Sequence, residues 1–178
     1  MIAMVTVFTM FLFLFGLIGL SRGWAKELLV VFSVVLALAA ISLMEDLLGL
    51  SNLIFRDNAT MQYYVRSGLV LLMVFFGYQS PSLPRLQKAT EKRGKIQDSI
   101  LGFVFGILSG YFVVGTLWSF ASQAQYPGLS KYIGPVPQEL VDVTQRVLNI
   151  LPPVWLDQPT TVFIFVVIAF IFAIVYFL

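Results

Sequence analysis

The stretch from Ile100 to Ala121 reads ILGFVFGILSGYFVVGTLWSFA and contains no Asp, Glu, Lys or Arg. The hydrocarbon core of a bilayer is about 30 Å thick, so an α-helix of roughly 20 mostly apolar residues crosses it. This stretch has the required length and composition, and it therefore predicts a membrane-spanning helix at about 100–121. The fold of the whole chain depends on how many similar stretches accompany it.

Four further stretches predict spanning helices, at about 1–21, 28–44, 63–78 and 160–178. Three of them carry no charged residue, whereas 63–78 contains Arg66 near its start. We interpret 63–78 as a span because its centre, Leu69 to Phe76, is too apolar for a surface loop. The first stretch lacks a positively charged start and a small-residue cleavage pattern, so it is expected to stay attached rather than act as a secretory signal.

The composition agrees with residence in a bilayer. Hydrophobic residues make up 59% of the 178 residues and charged residues 11%, with a mean hydropathy of +0.92. A chain with so few charged residues cannot cover the core of a soluble protein with polar side chains. We predict an all-α, polytopic membrane protein with about five transmembrane helices and an outer amphipathic helix, forming a single membrane domain over residues 1–178.

The same composition excludes several partners and chemistries. A formal charge of +2 is too small for a protein that binds nucleic acid. The chain has no Cys and no His, so it has no disulfide, no thiolate nucleophile and no histidine ligand for haem or chlorophyll. No cofactor or metal site is predicted. The 17 Phe residues leave contact with lipid, quinone or carotenoid open.

The orientation is predicted from the Lys and Arg residues between the spans, because cytoplasmic segments carry the excess. One side holds seven of them, namely Arg22, Lys26, Arg85, Lys88, Lys92, Arg93 and Lys95, and the other side holds four. We therefore predict an outer N-terminus and a cytoplasmic C-terminus.

A further helix is predicted on the outer side, at about 137–151. Pro137 suits the first turn of a helix, and Pro152 and Pro153 would stop it. The apolar residues share one face at helical spacing, and they are Leu140, Val143, Val147, Leu148 and Leu151. We expect this helix to lie in the headgroup region or to pack across the ends of the spans.

Gly102, Gly106 and Gly110 recur every four residues and so stack on one face of the fourth predicted span. Glycines at this spacing let two helix backbones approach closely in lipid. We favour a contact within the chain over self-association, which stays open. Gly16 and Gly19 of the first span are the candidate partners.

Charged residues at the helix ends are the other candidates for function. Arg66 is a candidate because an ionisable residue inside a span is often functional, although pairing with Glu45 or Asp57 is favoured. Glu27 and Glu45 are roughly 27 Å apart along one helix, and we interpret them as boundary residues. Ser109, Thr116 and Ser119 lack a His or Cys to activate them, so the sequence does not predict an enzyme.

The turn Gly19-Leu20-Ser21-Arg22-Gly23-Trp24-Ala25-Lys26-Glu27 adds a resemblance to a known family. Its pattern of Arg22, Gly23, Trp24 and Glu27 resembles the first hairpin of the colicin V production (CvpA) family. The glycine face at 102–110 is similar to the glycine-rich late helix of that family. The segment Leu129 to Pro135 and the amphipathic stretch after it resemble its outer C-terminal segment. The resemblance covers about residues 1–151.

This resemblance implies a small protein of the bacterial inner membrane, associated with colicin V export and envelope maintenance, for which no enzymatic activity is established. The chain departs from the family pattern at Thr160 to Leu178, where it has an extra span.

Two functional classes follow. The first is a non-catalytic accessory or scaffold subunit whose partners are membrane lipids and other membrane subunits. The second is a small transporter or channel component, which would need polar residues along a path through the spans.

Overall fold

The computed structural model describes residues 3–47, 58–79, 95–128, 138–156 and 158–177. These ranges contain helices and no strand. The helices are α1 (Met4–Arg22), α2 (Trp24–Ser42), α3 (Ala59–Tyr78), α4 (Lys95–Gln123), α5 (Gln138–Asn149), α6 (Pro152–Leu156) and α7 (Pro159–Phe177). A π-helical turn, Leu43–Leu47, continues α2.

Four of the described helical segments are long and apolar enough to cross a membrane: Met4–Arg22, Trp24–Glu45, Ala59–Tyr78 and Ile96–Gln123. A fifth crossing is available if Gln138–Leu156 and Thr160–Phe172, which are bent by 72° from each other, act as one span. The predicted all-α, polytopic membrane fold is therefore confirmed.

A single residue separates α1 from α2. Gly23 has φ 84° and ψ 154°, a backbone conformation that residues with a Cβ rarely adopt, and its N–H donates to the Gly19 carbonyl at 3.0 Å. The second span was predicted from residue 28, but α2 begins at Trp24. The turn is so tight that Lys26 and Glu27 already belong to the helix.

The third span begins earlier than residue 63, its predicted start. Asn58 caps α3, because its side-chain oxygen accepts a hydrogen bond from the Met61 N–H at 3.1 Å. The helix therefore starts at Ala59. As a result, Arg66 lies about two turns inside α3 rather than near its start.

The core of the described residues is centred on α2, which contacts α3, α4 and α7. Its buried members include Val30, Val34, Val35 and Ala37 on α2, Val70 and Val74 on α3, and Phe112 and Val113 on α4. Large apolar side chains such as Phe13, Phe76 and Phe163 stay exposed on the outward faces of α1, α3 and α7. In a membrane protein such faces contact lipid.

Helix α5, which the sequence predicts on the outer side, is rotated relative to the predicted apolar stripe. Thr144 is buried, whereas Val143 is 42% exposed. Leu151 is fully buried with Phe8 and Trp118, and Val147 and Leu148 pack against the same cluster. Within α5, Thr144 lies one turn before Val147 and Leu148 and therefore shares their helix face, so Val143 points outward. Pro137, the predicted start, lies outside the described residues.

Candidate functional site

Close packing of α1 against α4 sets the positions of the charged groups, and it is the most extensive helix contact among the described residues. A Cβ added to Gly106 would lie 3.0 Å from the Cα of Gly16 and 3.1 Å from the Cα of Gly19. A Cβ added to Gly102 would meet the Gly19 carbonyl group. A Cβ added to Gly110 would lie 2.8 Å from the Phe15 Cβ. The glycine face of α4 thus lies against α1 of the same chain.

This packing brings the α1–α2 turn to the first turn of α4. The carboxylate of Asp98 faces Gly23, where its Oδ2 would lie 2.9 Å from an added Cβ. The ring of Trp24 packs against Phe105, with 5.9 Å between the ring centroids. The turn is therefore held by α4, and the next helical turn of α2 directs Glu27 into the bundle.

Glu27 is the centre of a polar cluster, here called the Glu27 cluster, formed with Arg22, Tyr78 and Ser109. Its side chain is fully buried. Ser109 donates its hydroxyl to Glu27 Oε2 at 2.6 Å, and Arg22 Nη1 lies 3.3 Å from Glu27 Oε1. Arg22 also donates to the Tyr78 carbonyl at 3.3 Å and lies 4.1 Å from the centroid of the Tyr78 ring. The cluster joins α1, α2, α3 and α4.

The interpretation of Glu27 as a boundary residue missed this cluster. Glu27 and Ser109 are 82 positions apart in sequence, and no pattern within α2 identifies its partner. The one available signal was Arg22, which the glycine turn brings back toward Glu27. A buried carboxylate requires such partners, because an unpaired charge in an apolar interior is strongly unfavourable.

Arg66 and Glu45 form the second ion pair. Arg66 Nε and Nη2 each donate to a different oxygen of Glu45 at 2.7 Å. Arg66 Nη1 donates to Gln123 Oε1 at 3.3 Å, and the guanidinium carbon lies 5.7 Å from the centroid of the Phe120 ring. Of the two partners that the sequence offered, the structure places Glu45 beside Arg66, and Asp57 lies outside the described residues.

A cavity of about 480 Å³ opens beside this pair, and we call it the Arg66 cavity. Its polar wall consists of Ser42, Glu45, Arg66 and Gln123, and its apolar wall includes Leu38, Phe120 and Leu156. Sequence reasoning did not identify it, because its walls come from α2, α3, α4 and α6. The side chains of Arg66 and Glu45 are 20% and 18% exposed, so the pair is accessible from the cavity.

The Glu27 cluster and the Arg66–Glu45 pair lie near opposite ends of α2 and the π-helical turn that continues it. They are roughly 27 Å apart at 1.5 Å per residue. Buried apolar side chains separate them, among them Val34, Val74 and Phe112. Hydroxyl groups on α4 lie in the same region. Ser119 accepts a hydrogen bond from Gln123 at 3.3 Å, and the buried Thr116 hydroxyl has no hydrogen-bond partner among the described residues.

The described residues contain no group of three or more Asp or Glu side chains that could hold a metal ion. The polar groups that the structure brings together are two ion pairs and the hydroxyl groups that donate to them or lie between them.

Comparison with known proteins identifies one family. The family model described as colicin V production protein matches residues 6–134, which is more than half of the chain. The match includes α1 to α4 with both ion pairs, and it ends before α5. No curated protein and no solved structure matches the chain.

Proposed function

Because the chain belongs to the colicin V production protein family, we propose that it is a non-catalytic accessory or scaffold subunit of a larger assembly in the bacterial inner membrane. Its partners in this proposal are membrane lipids and other membrane subunits. The family membership and the apolar helices establish a membrane protein, and the internal pairing of its charges supports the more specific role.

The observation that carries the proposal is that four charged groups within the helices form two ion pairs. Arg22 pairs with Glu27, and Arg66 pairs with Glu45. Removing one partner of a buried pair typically costs about 3–5 kcal/mol, because the other charge stays buried and unpaired. Pairs of this kind are suited to fixing helix positions, which is what a scaffold requires.

The Ser109–Glu27 contact is the arrangement closest to a nucleophile with a base. Both side chains are fully buried, and the Arg66 cavity lies at the other end of α2. A substrate would have to separate α2 from α4 to reach the Ser109 hydroxyl. This burial supports a structural role for the hydrogen bond.

Isolation from native membranes in a mild detergent, followed by mass analysis of the intact particle, tests the proposal. We expect a second membrane subunit at a fixed ratio to this chain. A lone monomer or a symmetric oligomer of this chain, active in colicin V export, would contradict it.

The alternative is a small transporter or channel component. The observation in its favour is the row of hydroxyls at Ser109, Thr116 and Ser119, which continues to Gln123 at the Arg66 cavity. Against it, Ser109 and Thr116 are about 10 Å apart along α4, with buried Phe112 and Val113 between them.

Thr116→Val distinguishes the two functions, because it keeps the side-chain shape and removes the hydroxyl. A scaffold with this substitution retains colicin V export, whereas a conduit that uses the hydroxyl row loses it. Thr9→Val, at an exposed position of α1, is the matched control and leaves export unchanged in both cases.

We also propose the orientation with the N-terminus outside and the C-terminus in the cytoplasm, from the distribution of Lys and Arg. The chain has no cysteine, so single cysteines can be introduced and labelled. An impermeant thiol reagent added from outside is expected to label a cysteine at Gln138 and not one at Gln87. The opposite pattern would reverse the orientation.

A further inference from the structure

The Arg66–Glu45 pair lies between two cavities. On one side is the Arg66 cavity of about 480 Å³, and on the other is a groove of about 170 Å³ between α2 and α3. Ile41, Glu45 and Arg66 contribute to both. The charged pair is therefore the boundary between the two spaces.

The groove is apolar and opens toward the outward face of α3. Apart from the shared ion pair, its walls are apolar and include Val65, Gly68 and Leu72. Val65 and Leu72 are 40% and 50% exposed, and a Cβ added to Gly68 would meet nothing within 4 Å. In a bilayer an apolar, outward-facing space of this kind can accommodate an acyl chain.

The ion pair has unused hydrogen-bonding capacity. Arg66 has five N–H donors, of which two go to Glu45 and one to Gln123. Each Glu45 oxygen accepts one of these bonds, and among the described residues it retains a further lone pair. A ligand can therefore bind both residues without breaking the pair.

The positive charge of Arg66 and the negative charge of Glu45 determine which ligand headgroups can bind between them. A purely anionic group attracted to Arg66 is repelled by Glu45, and a purely cationic group is repelled by Arg66. A group with a phosphate and an ammonium a few bonds apart matches both charges. An ammonium that carries N–H donors can also hydrogen-bond to the free lone pairs of Glu45, which a trimethylated ammonium cannot do.

We propose that this site binds a zwitterionic phospholipid with a phosphoethanolamine headgroup. The phosphate contacts Arg66, the ammonium contacts Glu45, and an acyl chain follows the groove past Gly68. A volume of 480 Å³ is within the range of about 300–1,000 Å³ that is typical of ligand sites. The inference depends on the Arg66–Glu45 geometry and not on the scaffold function.

The first experiment uses the unmodified chain. The chain is reconstituted with equal amounts of phosphatidylethanolamine, phosphatidylcholine and phosphatidylglycerol of identical acyl chains, extracted in mild detergent and analysed by native mass spectrometry. We expect retained phosphatidylethanolamine to exceed phosphatidylcholine by on the order of tenfold, the ratio for one charge-assisted hydrogen bond. Equal retention of these two lipids, or preferential retention of phosphatidylglycerol, overturns the proposal.

Glu45→Gln tests the ammonium contact, because the amide oxygen keeps one of the two hydrogen bonds from Arg66 while the negative charge and the second acceptor oxygen are lost. The preference for phosphatidylethanolamine over phosphatidylcholine is expected to disappear, and phosphatidylglycerol retention to rise. Glu139→Gln, at an exposed position of α5, is the matched control and keeps the preference. An equal loss of preference in both variants overturns the assignment to Glu45.

Substitutions in the groove distinguish binding of a whole lipid from binding of a free headgroup, because only the lipid has an acyl chain. Gly68→Leu fills the groove and is expected to reduce lipid retention several-fold, while Gly68→Ala, whose methyl group meets no atom, retains the lipid. Free phosphoethanolamine, measured by calorimetry, is expected to bind equally to both variants. Binding of the free compound without any retained lipid would identify a soluble ligand and overturn the lipid assignment.

Discussion

Gly106→Ala tests whether the backbone contact between α1 and α4 is needed for stability. The added Cβ would meet the Phe15 carbonyl oxygen and lie 3.0 Å and 3.1 Å from the Cα atoms of Gly16 and Gly19. All three are backbone atoms, so no side chain can rotate away to relieve the contact. The two helices must therefore separate.

The cost follows from the separation. A gap of about 0.5–1 Å forfeits roughly a quarter to a half of each dispersion contact across the interface, and overpacking of this kind typically costs about 1–3 kcal/mol. The higher helix propensity of alanine relative to glycine offsets up to about 1 kcal/mol of this destabilisation. We expect a net loss of about 1–2 kcal/mol in the free energy of unfolding. For a chain of this length that lowers Tm by about 3–6 °C.

Thermal unfolding in a single detergent, followed by loss of the monodisperse peak in size-exclusion chromatography, measures the change in Tm. Gly68→Ala is the matched control, because the same substitution there meets no atom within 4 Å. Its Tm is expected to stay the same or to rise. Equal changes in Tm for the two variants would show that the Gly106 contact does not limit stability.

Three further predictions concern buried polar and apolar groups. Thr116→Val is expected to raise the free energy of unfolding by about 1 kcal/mol, because it removes a buried hydroxyl without a partner among the described residues; a decrease would show that the hydroxyl is used. Glu27→Ala is expected to lower the free energy of unfolding by about 3 kcal/mol. Lys26→Ala, at an exposed position, is expected to change it little in the same assay. Leu151→Asp is expected to unfold α5 and the segment after it, detected by limited proteolysis, whereas Val143→Asp leaves protection unchanged.

The helices could be predicted from the sequence because their positions depend on local composition. Apolar stretches of sufficient length located the four spans that the described helices support, one of them in spite of Arg66. The spacing of Gly102, Gly106 and Gly110 placed the three glycines on one helix face. The boundaries were less accurate where capping decided them. Asn58 starts α3 a full turn before the apolar stretch, and hydropathy does not register a capping side chain.

The polar sites depend on contacts between distant parts of the chain, and the sequence predicted them only in part. Arg66 was a candidate because it is charged and inside a span. The burial of Glu27 depends on Ser109, and the Arg66 cavity depends on Phe120 and Leu156 as well. Without knowing which helices are neighbours, no sequence pattern brings these residues together.

The two ends of the bundle differ because small residues close one and long side chains hold the other open. At the Glu27 end, a Cβ added to Gly77 of α3 would lie 3.0 Å from the Ser33 Cβ of α2. Gly102 gives α1 and α4 the same close approach. At the opposite end, the extended side chain of Arg66 reaches across to Glu45, and no atom of another described helix lies within 4 Å of a Cβ added to Gly68. Close packing leaves no space for a ligand at the Glu27 end, so the Glu27 cluster can fix the helix positions. The helices are further apart at the other end, so the Arg66–Glu45 pair stays accessible to a ligand.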